Sequence, residues 1–271
     1  MTTPDRQLAL VTGASSGIGY ELARQFAQHG FDVVVTAEDE ELASAAESLR
    51  EYGGQVVAVR ADLTRYDEVE RLWTETVAVG RPLDAVAVNA GVGVGGEFAR
   101  GTSLEAELGL IELNVVSSVH LAKRAVAAMT SRGAGRILFT SSIAALMPGP
   151  FEAVYAASKA FLHSFAEALR SELRDSGVTV TSLMPGPTDT EFFERAGMQD
   201  TKVGAGPKDD PAEVARQGFD ALMKGDDKVI AGSFTNKVQG VASRIAPDRA
   251  KAAMHRRMAE PGTGDASGDE E

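Results

Sequence analysis

Gln7 to Thr12 (Gln-Leu-Ala-Leu-Val-Thr) is a short apolar run that stops at a glycine, and Gly13-Ala14-Ser15-Ser16-Gly17-Ile18-Gly19 separates it from an amphipathic stretch, Ile18 to His29. A short apolar run bounded in this way reads as a buried parallel strand, and the stretch after it reads as a helix. Glycines between a strand and a helix let backbone approach a pyrophosphate closely. The helix N-terminus adds free N–H groups and the positive end of its dipole. The spacing is Gly-x-x-x-Gly-x-Gly rather than Gly-x-Gly-x-x-Gly, and a glycine turn alone can be loop geometry. The strand before it and the helix after it give it meaning.

The same alternation continues along the chain. Phe31–Thr36, Gln55–Arg60, Pro82–Val88, Arg136–Thr140, Val178–Leu183 and Lys228–Ala231 read as further strands. Between them lie helical patterns: Asp39 to Tyr52, one starting near Tyr66, one containing Asn114 and running through Met129, Glu152 to Leu173, and Pro211 to Lys224 with proline at the permitted first turn. Alternating strands and helices predict an α/β fold, a doubly wound and mostly parallel seven-stranded sheet with helices on both faces. A length of 271 residues fits this as one domain over residues 1–258. Within it, residues 188–210 read as a lid anchored by Phe192, Phe193 and Met198. Residues 234–258 read as basic helical sequence broken by Pro247, and 259–271 as an acidic, disordered tail.

The strand ends carry the chemistry. Glu38 and Asp39 close the second strand; carboxylates there accept hydrogen bonds from a ribose 2′-hydroxyl and repel a 2′-phosphate, which favours NAD over NADP. The same acids also suit the start of the following helix. Asp62 and Leu63 follow the third strand, where Asp62 either meets an adenine ring or caps the next helix. Asn89-Ala90-Gly91 ends the fourth strand, and Pro185-Gly186-Pro187-Thr188-Asp189-Thr190 ends the sixth. Asn114 is mildly unfavourable within a helix and needs a reason such as a kink or a bound water. Ser142 ends the fifth strand before a Pro-Gly-Pro turn. Tyr155 and Lys159, four apart on a helix, leave the same face. A phenol ionises near pH ~10, so acid–base work at neutral pH needs its anion stabilised by about 4 kcal/mol, and a neighbouring ammonium supplies much of that.

Composition limits the alternatives. The formal charge of −12 argues against a nucleic-acid binder. There are no cysteines, which removes disulfides and thiolate chemistry. No apolar run has the ~18 residues of a membrane span and no signal-peptide pattern opens the chain, so a cytoplasmic protein is expected. His29, His120, His163 and His255 have no metal-ligand spacing and read as helix-surface or interface residues.

Taken together, Thr12-Gly13-x-x-x-Gly17-x-Gly19, Asn89-Ala90-Gly91, Asn114, Ser142, Tyr155-x-x-x-Lys159 and Pro185-Gly186 with Thr188 and Thr190 resemble the motifs of the short-chain dehydrogenase/reductase family, in its compact single-domain branch, over roughly Gln7 to Ala231. The resemblance implies a Rossmann fold and an NAD(P)-dependent interconversion of a secondary alcohol and a ketone. It implies Tyr155 as the acid/base, Lys159 lowering its pKa and holding the nicotinamide ribose, Ser142 on the substrate oxygen, and Asn114 in a water relay. It also implies coenzyme contacts from Gly13, Ser15, Ser16, Gly17, Ile18, Gly19, Glu38, Asp62, Leu63, Asn89, Ala90, Gly91, Pro185, Gly186, Thr188 and Thr190. Glu38 stands where an arginine is common, and Ser16 where some NADP-using members carry a basic residue; both departures favour NAD. The expected partners are a small, apolar carbonyl or alcohol substrate and copies of the same chain, as a homodimer or homotetramer packed through the Tyr155 helix and the one ending near Met129. Ala160, Phe161, Ala166 and Leu169 suit either that contact or the sheet. Two alternatives stay open: a catalytically silent coenzyme-binding regulator, and a membrane-peripheral reductase of lipid-like ketones using the basic C-terminal stretch, although membrane contact is not the main expectation.

Overall fold

The computed structural model describes residues 6–233 and 247–264. Seven strands, β1 (Leu8–Thr12), β2 (Asp32–Ala37), β3 (Val56–Arg60), β4 (Leu83–Val88), β5 (Gly135–Thr140), β6 (Val178–Pro185) and β7 (Lys228–Ala231), form one sheet in the order β3-β2-β1-β4-β5-β6-β7. All the neighbouring pairs are parallel. The helices are α1 (Gly17–Gln28), α2 (Leu42–Arg50), α3 (Tyr66–Ala78), α4 (Leu104–Ile111), α5 (Ser117–Arg132), α6 (Ala153–Leu173), α7 (Phe192–Arg195), α8 (Lys202–Ala205), α9 (Pro211–Lys224) and α10 (Asp248–Ala259).

Side chains alternate across each strand, and in the inner strands both faces are buried, while the edge strands β3 and β7 are partly exposed. Ala9 and Val11 of β1 and Val33 and Val35 of β2 pack beneath α1, α2 and α9, with Leu22, Phe26, Leu49 and Phe219. Leu8, Leu10 and Val34 point the other way, into the layer formed by α3, α5 and α6 with Leu72, Leu121, Met129 and Leu162. Each fully buried aliphatic or aromatic side chain contributes about 1.5–3 kcal/mol, so the continuous apolar strands provide much of the stability. In α6, Ala166 is buried and Leu169 packs on the sheet side, while Phe161 is exposed.

The strand order reverses beside β1: β2 and β3 lie to one side, β4 to β7 to the other. Chains leaving β1 and β4 therefore diverge, and a crevice opens at the carboxyl edge between them. The amino edge is closed by charge instead. Asp32 takes Arg6 at 3.3 Å and also pairs with Arg81, and Asp84 takes Arg132 at 3.1 Å.

Some boundaries differ from the sequence reading. Helix α2 starts at Leu42 rather than Asp39, because the Asp39 carboxylate turns back to the Ser15 hydroxyl at 2.8 Å. The expected single helix around Asn114 is α4 and α5 joined by a π-helical turn, Glu112–Val116. Residues 234–246, the first half of the expected basic helical stretch, lie outside the described residues; the second half is α10. Of the expected acidic tail, 259–264 are described: Ala259 closes α10, and Gly262 N and Gly264 N donate to Asp200 Oδ2 and O at 2.9 and 2.7 Å.

Candidate active site

The first half of the crevice is built by the glycine turn. Gly13 has φ +65°, and a Cβ on Gly19 would lie 1.8 Å from the Gly13 carbonyl oxygen, so the helix can approach the strand end only with glycine there. Ser16 precedes α1 without a side-chain capping bond, and no acid lies in the first turn. The N–H groups and the positive end of the dipole are thus left for an anion. Asn89 ties three strand ends together: its N–H donates to Thr12 Oγ1 at 2.9 Å, its Nδ2 to the Thr12 carbonyl at 3.1 Å, and its Oδ1 accepts from Thr140 Oγ1 at 2.9 Å.

Gly13, Ser15, Ser16, Gly17, Ile18, Gly19, Glu38, Asn89, Ala90 and Gly91 all line this cleft, as do Leu63 and, across from them, Pro185, Gly186, Thr188 and Thr190. Asp62 does not. Its Oδ1 accepts from Thr64 N and Thr64 Oγ1 at 3.0 and 2.6 Å, closing a local turn, and it does not cap α3 either, since Arg65 holds that position. Asp39 lines the cleft with one oxygen on Ser15 and the other, Oδ1, buried without a partner among the described residues. An orphaned carboxylate oxygen in a cleft wall is costly unless a donor meets it. A dinucleotide fits this set: the α1 N-terminus would meet its phosphates and Asp39 its ribose hydroxyls.

The second half is built by β5 and α6. Ser141 Oγ donates to the Lys159 carbonyl at 2.7 Å, fixing the strand end to the helix. Lys159 Nζ donates to the Thr140 carbonyl at 3.0 Å and stands 5.7 Å from the Tyr155 ring centroid. Ser142 opens a short 3₁₀ turn, Ile143–Leu146, its Oγ accepting from Ala144 N at 3.1 Å. Tyr155 and Lys159 are buried, 8% and 4% exposed. Burial pushes the Tyr155 phenol up, the Glu152 carboxylate adds to this, and only the Ser142 hydroxyl pulls it down. Burial likewise brings the Lys159 ammonium down to about 8. The lowering of the phenol by Lys159 expected from the sequence is not among these causes: burial and Glu152 keep the hydroxyl protonated, beside an amine whose own burial brings it toward neutrality.

Asn114 lies behind this wall, fully buried, and not in the cleft. Its two amide hydrogens go to the Val92 carbonyl (2.9 Å) and Ser158 Oγ (3.1 Å), while Val92 N donates to its Oδ1 at 2.9 Å. The π turn offers this asparagine a backbone setting in which its side chain can reach both the β4 loop and α6.

The Phe192 ring lies 5.1 Å from that of Tyr155, and a Cβ on Gly93 would come within 2.5 Å of it, so the glycine-rich loop after β4 is shaped to receive this part of the expected lid. The sequence reading missed the far wall. Glu152, His255 and Met258 line the cleft, and His255 is buried rather than on a helix surface. Its pairing with Glu152 spans 103 residues of chain, so only the tertiary fold reveals it. Among the described residues no group of three or more His, Asp or Glu side chains could hold a metal ion. No helix among them is long and apolar enough to cross a membrane.

The family profile described as short chain dehydrogenase matches residues 7–200. An uncharacterized oxidoreductase of Staphylococcus saprophyticus is 32% identical over 220 residues, covering 80% of this chain and 92% of that protein. The fold is similar to that of a short-chain dehydrogenase from Sphingobium yanoikuyae in complex with NADPH (TM-score 0.78, 30% identity, covering 90% of this chain and 99% of that one). It is also similar to a short-chain dehydrogenase/reductase from Burkholderia phymatum in complex with NAD (TM-score 0.78, 25% identity, 90% and 94% covered). The glycine turn, the crevice at the strand reversal and this span of similarity lead to one conclusion: the chain belongs to the short-chain dehydrogenase/reductase family and is an NAD(P)-dependent oxidoreductase.

Proposed function

We propose that this enzyme interconverts a secondary alcohol and a ketone, prefers NAD to NADP, and uses Tyr155 as its proton-transferring residue. The bound nicotinamide supplies or accepts the hydride, which is the cofactor's own chemistry. Gly13, Ser16 and Gly17 with the α1 N-terminus would hold its phosphates, Glu38 and Asp39 its adenosine ribose, and Pro185, Gly186, Thr188 and Thr190 its other end.

In the reducing direction the Tyr155 hydroxyl gives its proton to the carbonyl oxygen as that oxygen gains charge, while Ser142 donates a hydrogen bond to the same atom. Burial of Tyr155 and the charge of Glu152 favour the protonated phenol, which is the form needed for that step. Lys159, brought to about 8, is suited to return a proton to the phenol afterwards. Asn114 acts on Lys159 and Tyr155 through their surroundings, by holding Val92 and Ser158 in place. The clustering of Ser142, Tyr155 and Lys159 in one cleft with the glycine turn supports this reading most strongly. Met147, Phe192, Phe193 and Met258 in the same cleft favour an apolar substrate body.

The coenzyme preference rests on the orphaned Asp39 Oδ1 and on Glu38 beside it. Arg60, the cation at the neighbouring strand end, is bonded to the Glu38 carbonyl at 2.7 Å and to the Glu40 carboxylate at 3.3 Å, and Glu38, Asp39 and Glu40 set three acids beside it. The test is kcat/KM with NADH and NADPH on one ketone. NADH is expected to be preferred by more than 10-fold, and Glu38→Arg to narrow that ratio; faster turnover with NADPH in the unaltered enzyme would overturn the preference.

A further inference from the structure

The substrate end of the cleft contains one buried polar pair, of which the reaction as described uses only the charge of Glu152 on the phenol. His255 Nε2, on α10, lies 3.0 Å from Glu152 Oε2, on the turn before α6, and the two side chains are only 10% and 7% exposed. Both line the cavity with Tyr155. Besides Lys159, held on the Thr140 carbonyl, the charged side chains at this end are Glu191 and Arg195, which are exposed and bonded to each other at 2.5 Å. Around the buried pair the wall is apolar, with Met147, Phe192, Phe193 and Met258.

The backbone is arranged around this pair. Phe151, just before Glu152, is the described non-glycine residue with a left-handed backbone, φ +67°, and its carbonyl accepts from Gly96 N at 2.8 Å. The Arg256 guanidinium stands 5.2 Å from the Phe151 ring centroid, so α10 holds this turn at two consecutive positions. Strain of this kind persists where the surroundings over-determine a conformation, and it clusters at functional sites. Here it sets the Glu152 carboxylate into the cavity one helical turn from the reacting phenol.

Among the described residues His255 bonds the Glu152 carboxylate at Oε2, while Oε1 is not buried without a partner and stays open to the cavity. A carboxylate oxygen open to a largely apolar pocket is a place where a ligand donor can replace water. His255 already meets the carboxylate at one oxygen, 3.0 Å away, which leaves the other to take a neutral donor from the substrate.

We propose that Glu152 and His255 form a polar subsite of the substrate pocket, and that the preferred ketone or alcohol carries a hydroxyl, separated from the reacting carbon by an apolar segment, which donates to Glu152. This rests on the oxidoreductase reading of the same cleft and adds the substrate class to it.

The test uses aliphatic ketones bearing a hydroxyl at increasing distance from the carbonyl, each with its deoxy counterpart, and follows NADH consumption in the full chain. For at least one chain length the hydroxyketone should have the higher kcat/KM by about 10- to 100-fold, mainly through KM, as expected of a hydrogen bond to a charged group. Glu152→Gln and His255→Phe should each cut that ratio to below about threefold. Because Glu152 also acts on the phenol's proton affinity, the ratio within each pair is the informative quantity; an effect on Tyr155 alone lowers both members together and leaves the ratio intact. NADH binding, followed by nicotinamide fluorescence, reports whether each variant retains its cleft. No preference for any hydroxyketone, or a preference that survives both substitutions, would overturn the proposal while leaving the deoxy ketones as substrates. Loss of turnover on both series in the unaltered enzyme would count against the oxidoreductase reading and this inference together.

Discussion

Tyr155 and Lys159 are legible in the sequence because their relation is local: four residues apart on a helix fixes a shared face whatever the fold around it. Their ionisation is not legible, since it depends on burial supplied by distant segments. Lys159 titrates near 8 in the folded chain against an ordinary 10.5, so between those values the unfolded chain binds more protons and folding stability rises with pH. Below about pH 8 the whole cost of the buried ammonium is present. Lys159→Met removes this dependence. Its stability relative to the unaltered chain should therefore decline by on the order of 3 kcal/mol as the pH rises from about 8 to 10.5, in urea unfolding followed by circular dichroism. A flat difference would mean that Lys159 is not desolvated. The same variant should lose about 10²–10⁴-fold in turnover, the usual worth of a group in acid–base catalysis. Asp62 shows the opposite limit: its identity and position fitted two roles, and a local turn with Thr64 took the side chain instead.

At the scale of elements, the glycine turn and α1 were readable because a turn of this length has few conformations. The π turn at Asn114 was readable only as an anomaly, an asparagine in a helix without evident reason; the reason is the Val92 loop and Ser158, brought to it by other parts of the chain. Two glycine substitutions separate close approach from helix propensity. Gly19→Ala would place its Cβ 1.8 Å from a backbone carbonyl and should cost roughly 1–3 kcal/mol or more, with loss of coenzyme binding. Gly109→Ala, in α4, meets nothing within 4 Å and should stabilise by roughly 0.5–1 kcal/mol with binding intact. Thermal unfolding and NADH titration of the two variants check both; equal effects would contradict the packing seen at the turn. The Glu152–His255 pair was beyond sequence reasoning, because a histidine on a basic helix gives no sign of what it will face after a sheet has intervened.

At the scale of the molecule, the order of strands and helices carried the architecture. A chain whose apolar strands must be covered on both faces, with a helix after almost every strand, has few alternatives to a doubly wound parallel sheet. That sheet brings the glycine turn and Tyr155, 136 residues beyond Gly19, to one crevice. Coenzyme binding should therefore stabilise the whole fold: at a hundred times its dissociation constant NADH should add about 2.7 kcal/mol, seen as a raised Tm. At equal concentration NADPH should raise it less, and the reverse order would point away from Asp39 and Glu38 as ribose partners. The most direct test of the central claim is consumption of reduced nicotinamide by a panel of apolar ketones, measured in parallel for the unaltered enzyme and Tyr155→Phe. The expected result is turnover that falls by about 10²–10⁴-fold in the variant with NADH affinity retained. Turnover undiminished in Tyr155→Phe would contradict the account.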